Sequence, residues 1–118
     1  MSTVEQNIGV VADEVWKDIP GFSYYQASSL GRIKFKGSKT RRNPKIVRQR
    51  DRPTTVGRYL AVNVVDDYVG YLSIEAHQLV CLAFHGLPPD DGAKWEVNHK
   101  DGNKKNNRSD NLEWRTLS

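Results

Sequence analysis

An Asn-His pair at positions 98 and 99 has the residue types best suited to chemistry in this sequence. An imidazole can take a proton from water near neutral pH, and an amide oxygen is a hard ligand for a divalent cation. Because successive strand residues point to opposite faces, two such side chains at a strand end can serve neighbouring but distinct tasks. The pair indicates a general base beside a metal ligand, with a satisfied structural histidine as the alternative.

The surrounding stretch predicts a short β-hairpin. Its sequence, WEVNHKDGNKKNNRSDNLEWRT, predicts one strand from Trp95 to His99 and a second from Leu112 to Thr116. The residues between them are mostly Asn, Asp, Lys and Gly, which favour turns over packed elements. The hairpin therefore presents the Asn-His pair at the end of its first strand.

The overall composition is that of one compact unit or two small ones. A chain of 118 residues is long enough for a modest core. The single cysteine, Cys81, excludes an intramolecular disulfide and a cysteine-rich structural zinc site. No run is long and apolar enough to cross a membrane, and no signal segment follows Met1, so we expect a cytoplasmic protein without a membrane partner.

Basic residues are concentrated between positions 32 and 58. Eleven of them stand against one acid, Asp51, which gives the segment a charge of +10 in a chain whose total is +4. They are Arg32, Lys34, Lys36, Lys39, Arg41, Arg42, Lys45, Arg48, Arg50, Arg52 and Arg58. Such segregation favours a polyanion through phosphate contacts and counterion release, so nucleic acid is the expected partner. The alternative is a solvated loop whose charges only maintain solubility.

The segment before and around the first basic residues predicts a small N-terminal unit. Residues 1–13 have little periodicity and are expected to form a flexible lead-in. We expect a hairpin from Tyr24 to Ala27 and from Arg32 to Phe35, because Gly31 supplies a backbone angle that other residues resist. Three apolar residues ahead of it are expected to pack beneath it: Trp16, Ile19 and Phe22.

The middle of the chain predicts a loop followed by a second hairpin. Residues 36–57 mix Gly, Ser, Thr and Pro with the charges, so we expect a mobile basic loop that orders on DNA. The alternating, β-branched run from Arg58 to Val65 predicts a strand, with Asp66-Asp67 in the turn and Tyr68 to Ile74 returning.

An apolar periodicity then predicts one helix, from Glu75 to His85. The residues at i, i+3, i+4 and i+7 of its apolar face are His77, Val80, Cys81 and Phe84. His77 therefore faces the interior, where we expect a buried, hydrogen-bonded role rather than a catalytic one.

The pattern around the Asn-His pair resembles the HNH endonuclease family, in the branch common among phage and homing nucleases. The match runs through Asn-His-x-Asp-Gly-Asn, then Asn106-Asn107-Arg108, then Asn111-Leu112-Glu113-Trp114, at unbroken spacing. The resemblance implies a ββα-metal motif, in which a hairpin and a following helix hold one Mg²⁺ or Mn²⁺ ion against a scissile phosphate. It also implies a protein that acts on double-stranded DNA in the bacterial cytoplasm during phage infection.

The N-terminal segment resembles the modular element that precedes the catalytic domain in such nucleases. The matching residues are Trp16, Lys17, Asp18, Ile19, Gly21, Tyr25, Ser28, Gly31 and Arg32, while Ser29 stands where an Asn is usual. The resemblance implies DNA contact beside the nuclease centre. The chain is thus expected to divide into the lead-in, a DNA-contacting element with its basic loop over residues 14–57, and an HNH-like domain over residues 58–118.

The resemblance also implies roles for the hairpin residues. His99 would be the general base, with one ring nitrogen free and the other held by a backbone carbonyl, and Asn98 would be the metal ligand. The structural loop of the site would comprise Asp101, Gly102, Asn103, Asn107 and Asn111, the last by bonding backbone groups. The cations expected to contact DNA are Arg32, Lys34, Lys36, Arg41, Arg42, Arg48, Arg50, Arg58, Lys100, Lys104, Lys105 and Arg108.

One departure from the family concerns the helix that should follow the hairpin. It carries the last metal ligand several residues beyond the position of Trp114, whereas this sequence ends at Ser118. Asp101 or a second copy of the chain, in a homodimer, would then supply the ligand; otherwise the protein binds DNA without cutting it, or the sequence is part of something longer. Because Asn98 is neutral, the ion is expected to bind weakly until DNA supplies phosphate oxygens.

The expected fold is α+β, with small antiparallel hairpins, one central helix and a C-terminal HNH-like hairpin that lacks its final helix. The expected function is metal-dependent DNA cleavage of the homing type. Two alternatives remain open: a non-cleaving DNA-binding protein derived from such a nuclease, and a protein-interaction module that reuses the fold.

Overall fold

The computed structural model describes residues 13–117, which form an α+β fold of three antiparallel sheets and one helix. The first sheet contains, in spatial order, β1 (Trp16–Ile19), β2 (Phe22–Ser28), β3 (Ile33–Phe35) and β4 (Lys45–Ile46). The second contains β5 (Arg50–Thr54), β6 (Gly57–Asp66) and β7 (Gly70–Glu75). The helix α1 (Ala76–His85) follows, and β8 (Trp95–His99) pairs with β9 (Leu112–Thr116) as the third. The predicted lead-in lies almost entirely outside the described residues.

One hydrophobic core joins the three sheets through α1. Leu79 of the helix is completely buried, together with Ile33 from the first sheet, Val62 from the second and Leu112 from the third. The third sheet has only two strands, and a two-stranded hairpin is marginal by itself in water. The N-terminal strands and the C-terminal hairpin therefore depend on the same core. Within residues 13–117 no helix is long and apolar enough to cross a bilayer.

The helix begins and ends within one residue of the prediction, and its C-terminus fixes the third sheet. Gly86 adopts a φ of +72°, and its N–H donates to the Leu82 carbonyl at 3.1 Å. The Trp114 indole Nε1 donates to the Gly86 carbonyl at 2.8 Å. This bond attaches β9 to the end of α1, so the helix sets the position of the hairpin that carries the Asn-His pair.

The three predicted hairpins are confirmed with small shifts. In the first, Tyr25 lies opposite Phe35, and Gly31 adopts the expected positive φ, at +96°. In the second, β6 continues through Asp66 and the turn follows it, slightly later than predicted. In the third, both strands have the predicted bounds.

The prediction of a loop throughout residues 36–57 is wrong. β4 extends the first sheet beside β3, and β5 pairs along β6 as an edge strand. An edge strand tolerates Pro53, because its outer side needs no backbone donor. Arg52 reaches across to Glu75, with Nη1 2.6 Å from Oε2. Arg52, one of the charged residues from which a solvated loop was predicted, thus helps to hold β5 in place.

Trp16 does not lie beneath the first hairpin but forms part of its sheet. It pairs with Ser28 across β1 and β2, and its ring carries the Lys34 ammonium 4.4 Å from the ring centroid. The other two residues expected below the hairpin, Ile19 and Phe22, are buried as predicted.

Candidate active site

His99 ends β8 and is almost enclosed, with 8% of its surface exposed. Its Nε2 lies 2.8 Å from Asn107 Oδ1. An amide oxygen can only accept, so Nε2 carries the ring proton and Nδ1 keeps its lone pair. Within the described part of the chain Nδ1 has no hydrogen-bond partner and is not sealed from solvent. The prediction that a backbone carbonyl holds the second ring nitrogen is wrong, because the Asn107 side chain from the loop accepts its hydrogen bond.

Two aromatic rings form a wall beside His99. The His77 ring meets it edge-on with centroids 4.9 Å apart, and the Tyr59 ring lies 6.2 Å from His99 and 5.1 Å from His77. His77 is 7% exposed, so it is buried as predicted. Its Nδ1 has no hydrogen-bond partner among residues 13–117, and the predicted hydrogen bond is therefore absent at that nitrogen. Burial, with a smaller contribution from His99, lowers the pKa of His77 to about 4. Its ring is therefore neutral at neutral pH.

Asn98 lies directly across the hairpin from Glu113. Its Nδ2 donates to Glu113 Oε2 at 2.8 Å. Because the amide nitrogen is turned to the carboxylate, Oδ1 is left free to accept or to bind a cation. The predicted ligand thus has a carboxylate neighbour, Glu113, that was not among the predicted site residues.

The loop between the two strands is braced by Asp101 and Asn111. Asn111 Oδ1 accepts from the Asp101 N–H at 3.1 Å, and its Nδ2 donates to the Asn106 carbonyl at 2.8 Å. These are the backbone bonds predicted for Asn111. Asn106 Nδ2 donates to Asp101 Oδ2 at 2.8 Å, and this bond, with those from Asn103 and Asn111, holds the pKa of Asp101 below its usual value. Gly102 occupies the predicted turn with a φ of +78°.

The oxygen donors of the site fit a hard divalent cation in part. An amide oxygen from Asn98 and a carboxylate from Glu113 suit Mg²⁺ or Mn²⁺. Asp101, the internal replacement considered above, already uses both oxygens inside the loop. In residues 13–117 no three His, Cys, Asp or Glu side chains are grouped to hold a metal ion. Most of an octahedral shell would therefore come from water and substrate oxygens.

Several cations expected to contact DNA already pair with acids. These pairs are Arg32 with Glu14, Lys36 with Asp18, Arg58 and Lys105 with Asp51, and Arg108 with Asp110. Exposed pairs contribute only about 0–1 kcal/mol, so a phosphate can replace their acid. The exception is Arg32, because the Glu14 side chain is 1% exposed. Its bond to Arg32 lowers the pKa of Glu14, and Arg32 is better described as structural.

Other cations line a cleft of about 920 Å³ between the first and second sheets. They are Lys39, Arg41, Lys45, Arg48 and Arg50, and no acid lines the cleft. Its aromatic lining comprises Tyr24, Tyr25, Phe35 and Tyr71. No residue of the β8–β9 hairpin or its loop lines it, so the cleft is separate from His99. Arg42, Lys100 and Lys104 lie outside the cleft and form no ion pair within the described residues; Lys34 stacks on Trp16.

Two contacts of the site, those of Glu113 and Asn107, were not predicted from the sequence. Glu113 follows from the hairpin register, because strands that end at His99 and begin at Leu112 place residue 98 opposite residue 113. The contact from Asn107 to His99 has no such signal. It depends on the conformation of an irregular loop, which has neither periodicity nor register.

Protonation of His77 is expected to destabilise the fold as the pH falls. Its pKa is about 4 when folded, against 6.5 for an unperturbed histidine, so the unfolded chain binds the proton first. The contribution of neutral His77 to the free energy of unfolding is fully present above pH 6.5. It is lost as the pH falls from 6.5 to 4, by about 3 kcal/mol in total. Urea unfolding across this range should show a clearly larger decline in wild type and in the control His85→Gln, which alters an exposed histidine, than in His77→Phe, where only carboxyl groups of lowered pKa such as Glu14 and Asp101 remain. An equal decline in His77→Phe would contradict a buried neutral ring.

Known proteins resemble this chain over nearly all of the described residues. Residues 75–118 match the family model for HNH endonucleases, and residues 14–65 match the NUMOD4 motif. An uncharacterised HNH endonuclease of Acanthamoeba polyphaga mimivirus is 35% identical over 107 residues, which are 89% of this chain and 24% of that protein.

A solved structure gives the same result for the fold. The chain matches a structure of the HNH homing endonuclease I-HmuI, from work on DNA binding and cleavage by that enzyme, with a TM-score of 0.61 and 31% identity. The match covers 86% of this chain and 52% of the I-HmuI chain. The chain thus spans about a quarter of the mimivirus protein and about half of the I-HmuI chain. The resemblance indicated by the sequence is confirmed: a match to the NUMOD4 motif precedes a match to the HNH endonuclease model along the chain.

Proposed function

We propose that the protein is a metal-dependent DNA endonuclease of the homing type. The observation that carries the proposal is the state of His99, whose Nε2 is held by Asn107 Oδ1 while Nδ1 has no hydrogen-bond partner among the described residues and is not fully enclosed. A neutral histidine held in this way is ready to act as a general base. The I-HmuI structure, which concerns DNA binding and cleavage, supports DNA as the substrate.

The chemistry assigned to His99 is the activation of water. Nδ1 takes a proton from a water molecule as its oxygen attacks phosphorus, and the bond to the 3′ oxygen breaks on the opposite side. The leaving oxygen gains its proton from solvent. The ring becomes positively charged in this step, and Asn107 Oδ1 stabilises that charge because it accepts the Nε2 hydrogen.

Asn98 and Glu113 are assigned to the metal. Asn98 Oδ1 would bind the ion directly, and the Glu113 carboxylate, bonded to the Asn98 amide, adds negative charge beside it. A bound Mg²⁺ or Mn²⁺ would supply positive charge that stabilises the departing 3′ oxygen. With one neutral direct ligand, affinity for the ion without DNA is expected to be low.

The basic cleft is assigned to the DNA backbone. Its five cations face no acid within the lining, so phosphates can approach without displacing an ion pair. A cleft lined by cations and no acids favours DNA binding over a protein-interaction role. Neutralising phosphates with these cations releases counterions and so stabilises the DNA complex, whereas binding to a protein does not require a purely basic surface. The resemblance to phage nucleases supports a location in the cytoplasm of an infected bacterium.

Nicking of supercoiled plasmid with Mg²⁺ or Mn²⁺ tests the proposed chemistry. We expect His99→Ala to lower the rate by about 100-fold or more, since a general base contributes about 10²–10⁴. Tyr68→Ala, which alters an exposed ring away from the site, should cut at the wild-type rate. Equal rates for His99→Ala and wild type would remove His99 as the base. An inactive wild type that still binds DNA would leave the non-cleaving alternative.

The salt dependence of DNA affinity tests the cleft. We expect Arg41→Ala and Arg48→Ala each to reduce the slope of log K against log salt by about one, and to weaken binding to all sequences alike. Arg115→Ala removes the same charge from the β8–β9 hairpin, outside the cleft, and should leave the slope almost unchanged. Slopes that stay at the wild-type value in both cleft variants would place the DNA elsewhere.

A further inference from the structure

Asn107 holds His99, but its own side chain is not held by other polar groups. It is 4% exposed, and its Nδ2 is buried without a hydrogen-bond partner within residues 13–117. The bonds from Asp101 and Asn111 brace the loop as far as Asn106 and do not reach the Asn107 side chain. Its position must therefore come from what its backbone rests on.

The backbone of Asn107 rests on the turn that joins β2 to β3. A β-carbon placed on Gly31 would lie 2.9 Å from the Asn107 carbonyl oxygen and 3.0 Å from its carbonyl carbon. Since real β-carbons do not approach backbone atoms this closely, the contact requires glycine. Beyond Asn107, the Ser109 N–H donates to the Ser29 carbonyl at 2.9 Å. Two contacts thus attach the loop to the same turn.

The turn is itself fixed by hydrogen bonds. The buried Ser28 hydroxyl accepts from the N–H groups of Leu30 at 3.2 Å and Arg32 at 3.0 Å. From the segment before β5, Gln49 Nε2 donates to the Gly31 carbonyl at 2.8 Å. Gly31 is therefore held on both sides, and it offers the Asn107 backbone a support that does not yield easily.

We propose that the turn at residues 28–32 positions the catalytic base, because it fixes Asn107 and Asn107 fixes the ring of His99. The inference rests on the proposed nuclease function. It gives the NUMOD4 motif a part in catalysis besides contact with DNA. Gly31 and its neighbours are positioning residues, since they act through Asn107 and not on the substrate.

Gly31→Ala and Gly21→Ala form a matched pair for the test. Both glycines have a positive φ, +96° and +84°, so both alanines carry backbone strain. At Gly31 the new β-carbon meets Asn107, whereas nothing lies within 4 Å of one at Gly21. We expect Gly31→Ala to lower kcat for plasmid nicking by about 10- to 100-fold with KM for DNA unchanged. Gly21→Ala should leave both values near wild type.

A second pair removes a contact instead of adding an atom, in case Gly31→Ala does not fold. Gln49→Ala removes the hydrogen bond to the Gly31 carbonyl. Gln26→Ala removes a comparable bond in the same sheet, from Gln26 to Asp18, away from the turn. We expect Gln49→Ala to lower kcat by roughly 2- to 10-fold at unchanged KM, and Gln26→Ala to have no effect.

The ring signals of His99 in NMR spectra distinguish positioning from a general loss of structure. The sequence has three histidines, so histidine-labelled protein gives few ring signals to assign. We expect Gly31→Ala and Gln49→Ala to shift the His99 signals, and the Gly21 and Gln26 variants to leave them unchanged. Unchanged His99 signals in both test variants, or an unchanged kcat, overturn the proposal. If wild type cuts no DNA, the nuclease function fails, while the ring signals still decide whether the turn positions His99.

Discussion

The hydrogen bond between His99 Nε2 and Asn107 Oδ1 is the contact on which the chemistry of the site depends. A neutral imidazole has one donor nitrogen and one acceptor nitrogen, and the partner of one decides the state of the other. Asn107 offers an acceptor, so the lone pair is left on Nδ1. In the other tautomer a bare Nε2 and Asn107 Oδ1 would be two buried acceptors facing each other. Leaving buried polar groups unpaired costs about 1–3 kcal/mol, which disfavours that tautomer. The neighbouring ring of His77 is neutral at neutral pH and adds no positive charge to the site.

The fold supplies this contact by packing the two-stranded β8–β9 hairpin, which is marginal by itself, against the helix and the other sheets. The pair lies between β8 and an irregular loop, and neither has a core of its own. Helix α1 attaches β9 through Trp114 and shares buried residues with all three sheets. The turn at Gly31, between β2 and β3 of the first sheet, packs against the backbone of Asn107 in this loop. The elements that we assign to DNA contact and to catalysis thus share a single core.

The sequence predicts the regular elements of this arrangement because their periodicity reflects one buried face. Helix α1 and strands β8 and β9 were predictable to within a residue for that reason. Strand β5 was not, since an edge strand has little buried surface and its charges resemble those of a loop. The ion pairs of Arg32 and Arg52 were hidden because their acids are 18 and 23 residues distant in the chain.

The candidate site was predictable only where motif and register apply. Asn98 and His99 are visible in the motif, and Glu113 follows from the hairpin register. The contact from Asn107 is not visible, because it depends on a close approach between a loop and a turn 76 residues apart in the chain. Irregular backbone of this kind is fixed by tertiary contacts, which leave no local pattern.

The most direct measurement is the tautomer of His99 in the wild-type protein, read from the ¹⁵N shifts of its ring at neutral pH. A proton on Nε2 and a bare Nδ1 are expected, because Asn107 presents an oxygen to Nε2. A proton on Nδ1 would mean that the amide of Asn107 is turned the other way. Nδ1 would then be unable to accept a proton from water, and the role of His99 as the general base would be contradicted.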